Sequence, residues 1–218
     1  MTTNVVDPRE ESVAPAARGA ARRADKVATK RDELARAALS ALSERGYAAT
    51  GLREIAANSE YSHGVLHYYF SDKLDLITHC VNLYKRECIA SYDDVLDGAG
   101  DAESLRLRFA QRLTATMEAD LSTHKLWYDL RMQAVFEGSL REDVRAIDDE
   151  LEAMVWRIVR EYAALAGGQP LLDSAGTYAS LDGLFERAVR RRSSGDVDAA
   201  KELTVQLYAL VGALVVVN

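Results

Sequence analysis

Two histidines, His63 and His67, have a spacing that could serve a metal ion. Residues four apart lie on one face of a helix, and the carboxylate of Glu60 is nearby as a third ligand. Metalloproteases that use such a pair place a glutamate directly after the first histidine, whereas this chain has Gly64 there. Because the pattern assembles neither three firm ligands nor an open position, we predict no metal and no cofactor.

Other residue types that could support catalysis have no suitable partners nearby in the sequence. His79, Cys80 and His124 are typical of packed or exposed helix residues rather than of ligands or nucleophiles. The chain has no Gly-rich phosphate loop, no Gly-x-Ser-x-Gly turn and no Cys-x-x-Cys pair. We therefore predict that it is not an enzyme.

The histidine pair falls on the second of two very short predicted helices, at about 51–59 and 62–69. A long helix follows from near Lys73 to about Asp94. Each helix start is preceded by a side chain that can accept a hydrogen bond from an unpaired backbone N–H: Thr50, Ser62, and Ser71 with Asp72. Two short helices joined by a tight turn are typical of a helix-turn-helix.

The apolar pattern of this segment divides it into an inner and an outer face. The predicted inner face consists of Leu52, Ile55, Ala56, Tyr61, Val65, Leu66, Tyr69 and Phe70. The outer positions of the second helix are His63, Gly64, His67 and Tyr68. A helix this short is held by its neighbours rather than by its own propensity, so this interpretation requires the two helices to be separate and the histidine face to be uncovered.

This segment resembles the DNA-binding heads of the TetR family of bacterial repressors. The resemblance covers about Lys30 to Tyr84 and rests on Gly46-Tyr47, Thr50, Ile55-Ala56, Ser62, Gly64, Tyr69-Phe70, Lys73 and Leu76. It implies a homodimeric transcriptional regulator, most simply a repressor, that binds operator DNA and responds to a small-molecule effector. The C-terminal half matches the family only in length and helical layout.

Two positions depart from the family pattern. Glu60 stands in the turn where members usually have glycine, so we expect it to adopt a positive φ. His67 stands where members usually have a tyrosine that touches phosphate. A histidine can still donate to a phosphate oxygen, and the contact would then depend on pH.

The resemblance, together with the outer face, assigns the DNA contacts. Base edges in the major groove are assigned to Ser62, His63, Gly64 and His67, with His63 as the principal reader, and phosphates to Thr50, Arg53, Tyr68 and Lys73. Lys73 opens a helix, where the helix dipole disfavours a cation unless an anion is bound. The alternative for Lys73 is a solvated surface lysine. Arg22 and Arg23 could reach an adjacent groove.

Composition predicts an all-α protein. Of 218 residues, 48% are hydrophobic and only three are proline, two of them among the first fifteen residues. The net charge is −7, yet Ala17 to Arg31 contains six basic residues and one acid, which fits either a DNA-contacting arm or a solvated tail. Cys80 and Cys88 would lie about 12 Å apart along one helix, too far for a disulfide, so a reduced, cytoplasmic setting is expected.

We predict three regions and about nine helices. They are a disordered basic arm at 1–22, a helix-turn-helix domain at 23–71 whose first helix ends at Gly46, and a helical ligand-binding and dimerisation domain at 72–218. Helices in the last region are placed at about 101–120, 122–137, 139–166, 172–192 and 196–217. No stretch approaches the roughly 20 apolar residues that a membrane span needs.

Aromatic and polar side chains of the C-terminal region could line an effector pocket. The candidates are Met117, His124, Trp127, Tyr128, Met132, Phe136, Trp156, Tyr178 and Phe185. Residues of these types at helical spacing more often belong to an ordinary core.

The last two predicted helices are the candidates for a two-fold dimer contact. Its predicted residues are Leu181, Leu184, Phe185, Leu203, Leu207, Leu210, Val211 and Leu214. Such a dimer would hold two recognition helices about 34–36 Å apart on a palindromic operator. The competing hypothesis is a helical small-molecule-binding or enzymatic bundle that does not bind DNA. The sequence leaves open the effector, the operator, and activation rather than repression.

Overall fold

The computed structural model describes residues 10–45, 51–98 and 100–217, and helices account for most of these residues. The all-helical prediction is confirmed. The helices are α1 (Glu10–Arg45), α2 (Leu52–Ala57), α3 (His63–Tyr69), α4 (Lys73–Ala90), α5 (Asp93–Asp97), α6 (Ala102–Ala119), α7 (Leu121–Phe136), α8 (Arg141–Leu165), α9 (Ser174–Ser193) and α10 (Ala199–Ala213). A single 3₁₀ turn, Gly138–Leu140, joins α7 to α8.

Helix α1 begins earlier than the sequence pattern indicates. It starts at Glu10, inside the segment expected to be a disordered arm. That segment is rich in alanine and arginine, which are strong helix formers, so a helix can extend through it without an apolar stripe. The predicted cap at Gly46 and the predicted start at Thr50 lie outside the described residues.

The long helix predicted to run to Asp94 is interrupted. Helix α4 ends at Ala90, where the Ser91 hydroxyl donates to the carbonyl of Cys88 at 2.7 Å. The chain turns through Ser91 and Tyr92 and then forms the one-turn helix α5. A serine that bonds back to the preceding turn competes with the regular helix pattern, which accounts for the break.

A small antiparallel sheet replaces the end of the predicted C-terminal helix. Strand β1 (Gly168–Pro170) pairs with β2 (Val215–Val217), with Gly168 opposite Val217. Three consecutive β-branched valines favour a strand over a helix. Gly167 has φ of +69°, and a Cβ on Gly168 would lie 2.5 Å from the Val216 carbonyl oxygen, so both glycines are needed for this turn and pairing.

The buried side chains form two clusters. The head cluster joins α1–α4 to α7 and the start of α8, and includes Leu34, Ile55, Leu66, Leu76 and Trp127. The body cluster joins α6, α8, α9 and α10, and includes Phe109, Ile158, Leu181 and Leu207.

Helix α4 takes part in both clusters. Its N-terminal part packs in the head cluster through Leu76 and Ile77, and its C-terminal part packs against the body cluster through Cys88 and Ile89. One helix therefore connects the two halves of the molecule.

None of the helices in the described part of the chain is long and apolar enough to cross a membrane.

Candidate DNA-binding head and ligand cavity

The second short helix, α3, is separate from α2 and its histidine face is uncovered. The hydroxyl of Ser62 accepts a hydrogen bond from the backbone N–H of Val65 at 3.4 Å, which caps α3 as predicted. His67 is exposed, and Tyr68 is 80% exposed although tyrosine is large and partly apolar. His63 is half-buried, with its ring centroid 4.6 Å from that of His67. The opposite face is buried through Leu66, so α3 presents side chains outward in the way that base recognition requires.

Gly64 leaves the centre of this face open. A Cβ at this position would have only the Ser62 hydroxyl within 4.0 Å, so the backbone of α3 can be approached from outside. Arg53 is exposed on α2, while Thr50 lies outside the described residues.

Glu60 does not adopt the positive φ that we expected, because no described residue other than glycine has a positive φ. The turn therefore accommodates Glu60 without that strain.

Lys73 is the first residue of α4, as predicted. The Asp72 carboxylate caps the helix by accepting from the Asp75 N–H at 2.9 Å. Partial burial lowers the pKa of Lys73, and Asp129 and Glu54 oppose that shift. An ammonium group therefore lies at the positive end of an 18-residue helix beside α3.

Arg31 has a structural role that the sequence pattern did not reveal. Its guanidinium donates to the Tyr69 carbonyl oxygen at 2.9 Å and to the Asp75 carboxylate at 2.5 Å, and it lies over the ring of Phe70. This single side chain connects α1 to the end of α3 and the start of α4. It therefore holds the recognition helix against the rest of the head.

The body contains a cavity of about 50 Å³ between α4, α6, α7, α8 and α9. Five of the predicted pocket residues line it: His124, Trp127, Tyr128, Tyr178 and Phe185. Its other walls are mainly apolar, formed by Cys88, Tyr92, Leu113, Leu151, Met154, Val155 and Leu181.

Four predicted pocket residues do not line this cavity. Met117 is fully buried in the body cluster, and Trp156 is half-buried on α8. Met132 and Phe136 are 61% and 80% exposed on the last turns of α7. Residue type suggested a pocket at these positions, but the angular position of each residue on its helix decides whether it faces inward.

Four charged residues at or beside the cavity were not predicted from the sequence. The Asp182 carboxylate accepts from the Tyr128 hydroxyl at 2.9 Å and from Arg131 at 2.6 Å. The Asp148 carboxylate accepts from the Tyr178 hydroxyl at 2.8 Å and pairs with Arg131 at 3.2 Å. Each carboxylate is therefore already satisfied. In the sequence, these residues could have been recognised only as charges on otherwise apolar helix faces.

Lys85 is the fourth charged residue, and it is only 4% exposed. Its Nζ donates to His124 Nδ1 at 3.4 Å, while Nε2 of the same ring lies 3.3 Å from both the Thr116 carbonyl oxygen and the Tyr84 hydroxyl. These contacts fit a neutral histidine protonated on Nε2. Burial lowers the pKa of Lys85 to about 8, and burial together with Lys85 holds the pKa of His124 well below its usual value.

Six of the predicted dimer residues are instead part of the core of the single chain. Leu181, Phe185, Leu203, Leu207, Val211 and Leu214 are each less than a tenth exposed. The prediction took the most apolar stripe of each helix as the contact with a second subunit, but α6 and α8 already cover that stripe. Leu184 and Leu210 are half-buried.

The outer faces of α9 and α10 share a stripe of three small residues and one valine, flanked by exposed charged residues. Ala179 and Gly183 on α9, and Val205 and Ala209 on α10, are all exposed.

Within the described residues, no three His, Cys, Asp or Glu side chains are grouped so that they could hold a metal ion.

Helix-turn-helix transcriptional regulators present a short second helix to the DNA major groove, with its inner face packed on the helices before and after it. The described head has this arrangement, and the chain belongs to that class of protein. Residues 34–80 match the family described as bacterial regulatory proteins, tetR family. Over these residues the chain is therefore similar to the TetR-family transcriptional regulators.

Known proteins are similar over most of the chain. The HTH-type transcriptional repressor KstR2 of Mycobacterium tuberculosis is 24% identical, with 63% of this chain and 80% of the repressor covered. A TetR transcription regulator from Haloarcula marismortui is 19% identical with a TM-score of 0.71, covering 86% of this chain and all of that one. The regulator FadR from Bacillus subtilis, solved in complex with stearoyl-CoA, is 16% identical with a TM-score of 0.68. The match covers 82% of this chain and 95% of the FadR chain.

Proposed function

We propose that the chain is a cytoplasmic, homodimeric repressor that binds a palindromic operator and leaves it when a small molecule enters the body cavity. The observation that carries this proposal is that α4 has the candidate phosphate ligand Lys73 at one end and the cavity residue Lys85 twelve positions further on. At 1.5 Å per residue, these positions are about 18 Å apart on one rigid element. The repressor KstR2 and the ligand complex of FadR support the same type of regulation.

The size of the cavity supports coupling between the effector and the head. Pockets that hold a small molecule usually enclose about 300–1,000 Å³, whereas this cavity encloses about 50 Å³. An effector must therefore displace at least one wall, and α4 is one of the walls. A coupling free energy of about 1–3 kcal/mol is typical of such linkage and lowers affinity for the operator by up to about a hundredfold.

The outer stripe of α9 and α10, defined above by Ala179, Gly183, Val205 and Ala209, is the proposed contact with the second subunit. Small side chains allow helices from two subunits to approach closely across a two-fold axis. Two heads held in this way would contact successive major grooves on one side of the DNA.

A DNA-binding titration tests the proposed function. The full chain is mixed with the labelled intergenic DNA upstream of its own gene, and with scrambled DNA of equal length. We expect specific binding that the His63→Ala substitution reduces towards the scrambled level. The substitution Glu150→Ala on the exposed face of α8 is the control. Equal affinity of the unmodified protein for the two DNAs, over its own and neighbouring intergenic regions, would refute the proposal.

A further inference from the structure

The body cavity contains a buried cation without an anionic partner. Within the described part of the chain, Lys85 forms no ion pair with a carboxylate, and its hydrogen-bond partner is the neutral ring of His124. Its ammonium also lies 5.3 Å from the ring centroid of Trp127 and 5.8 Å from that of Tyr84. A buried charge is costly unless it is paired, so the position of the Lys85 ammonium is unfavourable without an anionic partner.

The acidic groups near the cavity are not available to complete that pair. Asp182 is held by Tyr128 and Arg131, and Asp148 is held by Tyr178 and Arg131. Each of these carboxylates already has two donors, whereas two of the three N–H bonds of the Lys85 ammonium have no acceptor among the described residues. Asp182 and Asp148 therefore attract the Lys85 ammonium only through space, and an acceptor in direct contact with it would have to come from a ligand.

The remaining wall defines the rest of the molecule that would fit. Leu113, Leu151, Met154 and Val155 are apolar, and Phe185 adds an aromatic face. A ligand that contacts this wall must be apolar over most of its surface, because apolar area removed from water provides most of the affinity in such pockets.

We propose that the effector is an amphipathic anion, in which a carboxylate or similar acidic group binds the Lys85 ammonium and an apolar body occupies the space between α6, α8 and α9. This inference rests on the proposed function, since it names the ligand class of the same cavity. Binding gives Lys85 an anionic partner and displaces α4, to which this lysine belongs.

A matched pair of fluorescent probes tests the inference without the natural effector. The probes 8-anilinonaphthalene-1-sulfonate and N-phenyl-1-naphthylamine have the same rings and differ by the sulfonate. We expect the unmodified protein to bind both with one site per chain. The K85M substitution should weaken the sulfonate at least about tenfold, since a hydrogen bond to a charged group is worth more than 1.4 kcal/mol. It should leave the uncharged probe nearly unaffected.

Two further variants make the result specific. K85R keeps the positive charge and should retain the preference for the sulfonate, and K125M removes an exposed charge of α7 and should change neither affinity. Circular dichroism verifies the fold of each variant. The inference is overturned if K85M changes both affinities equally, if it changes neither, or if the unmodified protein binds neither probe.

This experiment is independent of the test of the proposed function. The probe titrations contain no DNA, so they can succeed even if the operator titration fails. Conversely, K85M should still bind the operator, because Lys85 lies outside the head. Operator binding with loss of the sulfonate preference assigns the effector class, and operator binding with an unchanged sulfonate preference removes the inference while leaving the repressor intact.

Discussion

At the scale of single residues, Arg31 is the side chain on which the position of the recognition helix depends most directly. It belongs to the basic run between Ala17 and Arg31, which from sequence alone was a DNA-contacting arm or a solvated tail. Its partners, Tyr69 and Asp75, are 38 and 44 positions further along the chain. Charge patterning identifies a basic residue, but it cannot show which distant carboxylate that residue will meet.

Replacing Arg31 by alanine should destabilise the head by about 2 kcal/mol, because hydrogen bonds to a charged group are lost from a partly buried position. The measurement is urea unfolding at pH 7. Arg36→Ala, which removes a well-exposed pair with Glu87, is the matched control and should have little effect. Equal midpoints for the two variants would contradict the role assigned to Arg31.

The effect of Arg31 should also depend on pH. Burial raises the pKa of Asp75, but the Ser71 N–H and Arg31 outweigh it, so the pKa is lowered overall. A carboxyl group with a lowered pKa in the folded state stabilises the protein above its unfolded pKa and loses that contribution as pH falls through the folded one. The difference between the unmodified protein and Arg31→Ala should therefore shrink below about pH 4.

Lys85 should also make the stability rise with pH, but in the alkaline range. Its folded pKa of about 8 lies below the ordinary value of 10.5, so the unfolded chain binds the extra proton between these values. The cost of burying the ammonium is therefore full below pH 8 and is relieved as pH rises towards 10.5. Relative to K85M, the unmodified protein should gain up to about 3 kcal/mol across this window, at about 1.4 kcal/mol for each pKa unit. A difference that does not vary between pH 7 and 10.5 would show that Lys85 does not titrate as described.

At the scale of elements, the N-terminus of α4 is the proposed phosphate contact. Lys73→Ala should weaken binding to all DNA sequences and flatten the dependence of log affinity on log salt by about one phosphate. Fluorescence anisotropy at several salt concentrations measures this slope. Lys125→Ala removes another lysine from the exposed face of α7 and should leave the slope unchanged. An unaltered slope for Lys73→Ala would mean that Lys73 does not contact phosphate.

Local sequence patterns predicted most elements and the uncovered face of α3. The separation of α2 from α3 followed from Ser62 and from the apolar spacing of Ile55, Leu66 and Phe70. The β1–β2 pair could not be predicted in this way, because Gly168 and Val217 meet only through the fold of the whole C-terminal half. The network around Asp182 was missed for the same reason, since Tyr128 and Arg131, which donate to Asp182, belong to α7, and Asp148, which pairs with Arg131, belongs to α8.

At the scale of the whole molecule, the same limit applies to the dimer. Hydrophobicity along α9 and α10 identified buried leucines such as Leu203 and Leu207, but it could not distinguish burial within one chain from burial between two. The stripe left outside is defined by Ala179, Gly183, Val205 and Ala209, three of which are less hydrophobic than the buried leucines. The face proposed for dimerisation is therefore visible only once the internal packing is known.

Ala209→Arg should convert a dimer into a monomer, because a long charged side chain would enter the close contact proposed between α9 and α10 of two subunits. Sedimentation equilibrium measures the mass, and operator affinity should fall by at least about tenfold as the two half-sites come to be bound independently. Ala153→Arg, on the exposed face of α8, is the control. A dimer that persists in Ala209→Arg would exclude this face.

Trp127 lies where the two halves of the molecule meet the cavity. It is 1% exposed, belongs to the head cluster, lines the cavity and has the Lys85 ammonium over its ring. The chain has only one other indole, Trp156 on α8, so Trp156→Phe would leave a single emitter. Its emission wavelength and quantum yield should respond to any molecule that displaces the ammonium, which gives the protein an intrinsic optical signal of occupancy that needs no label.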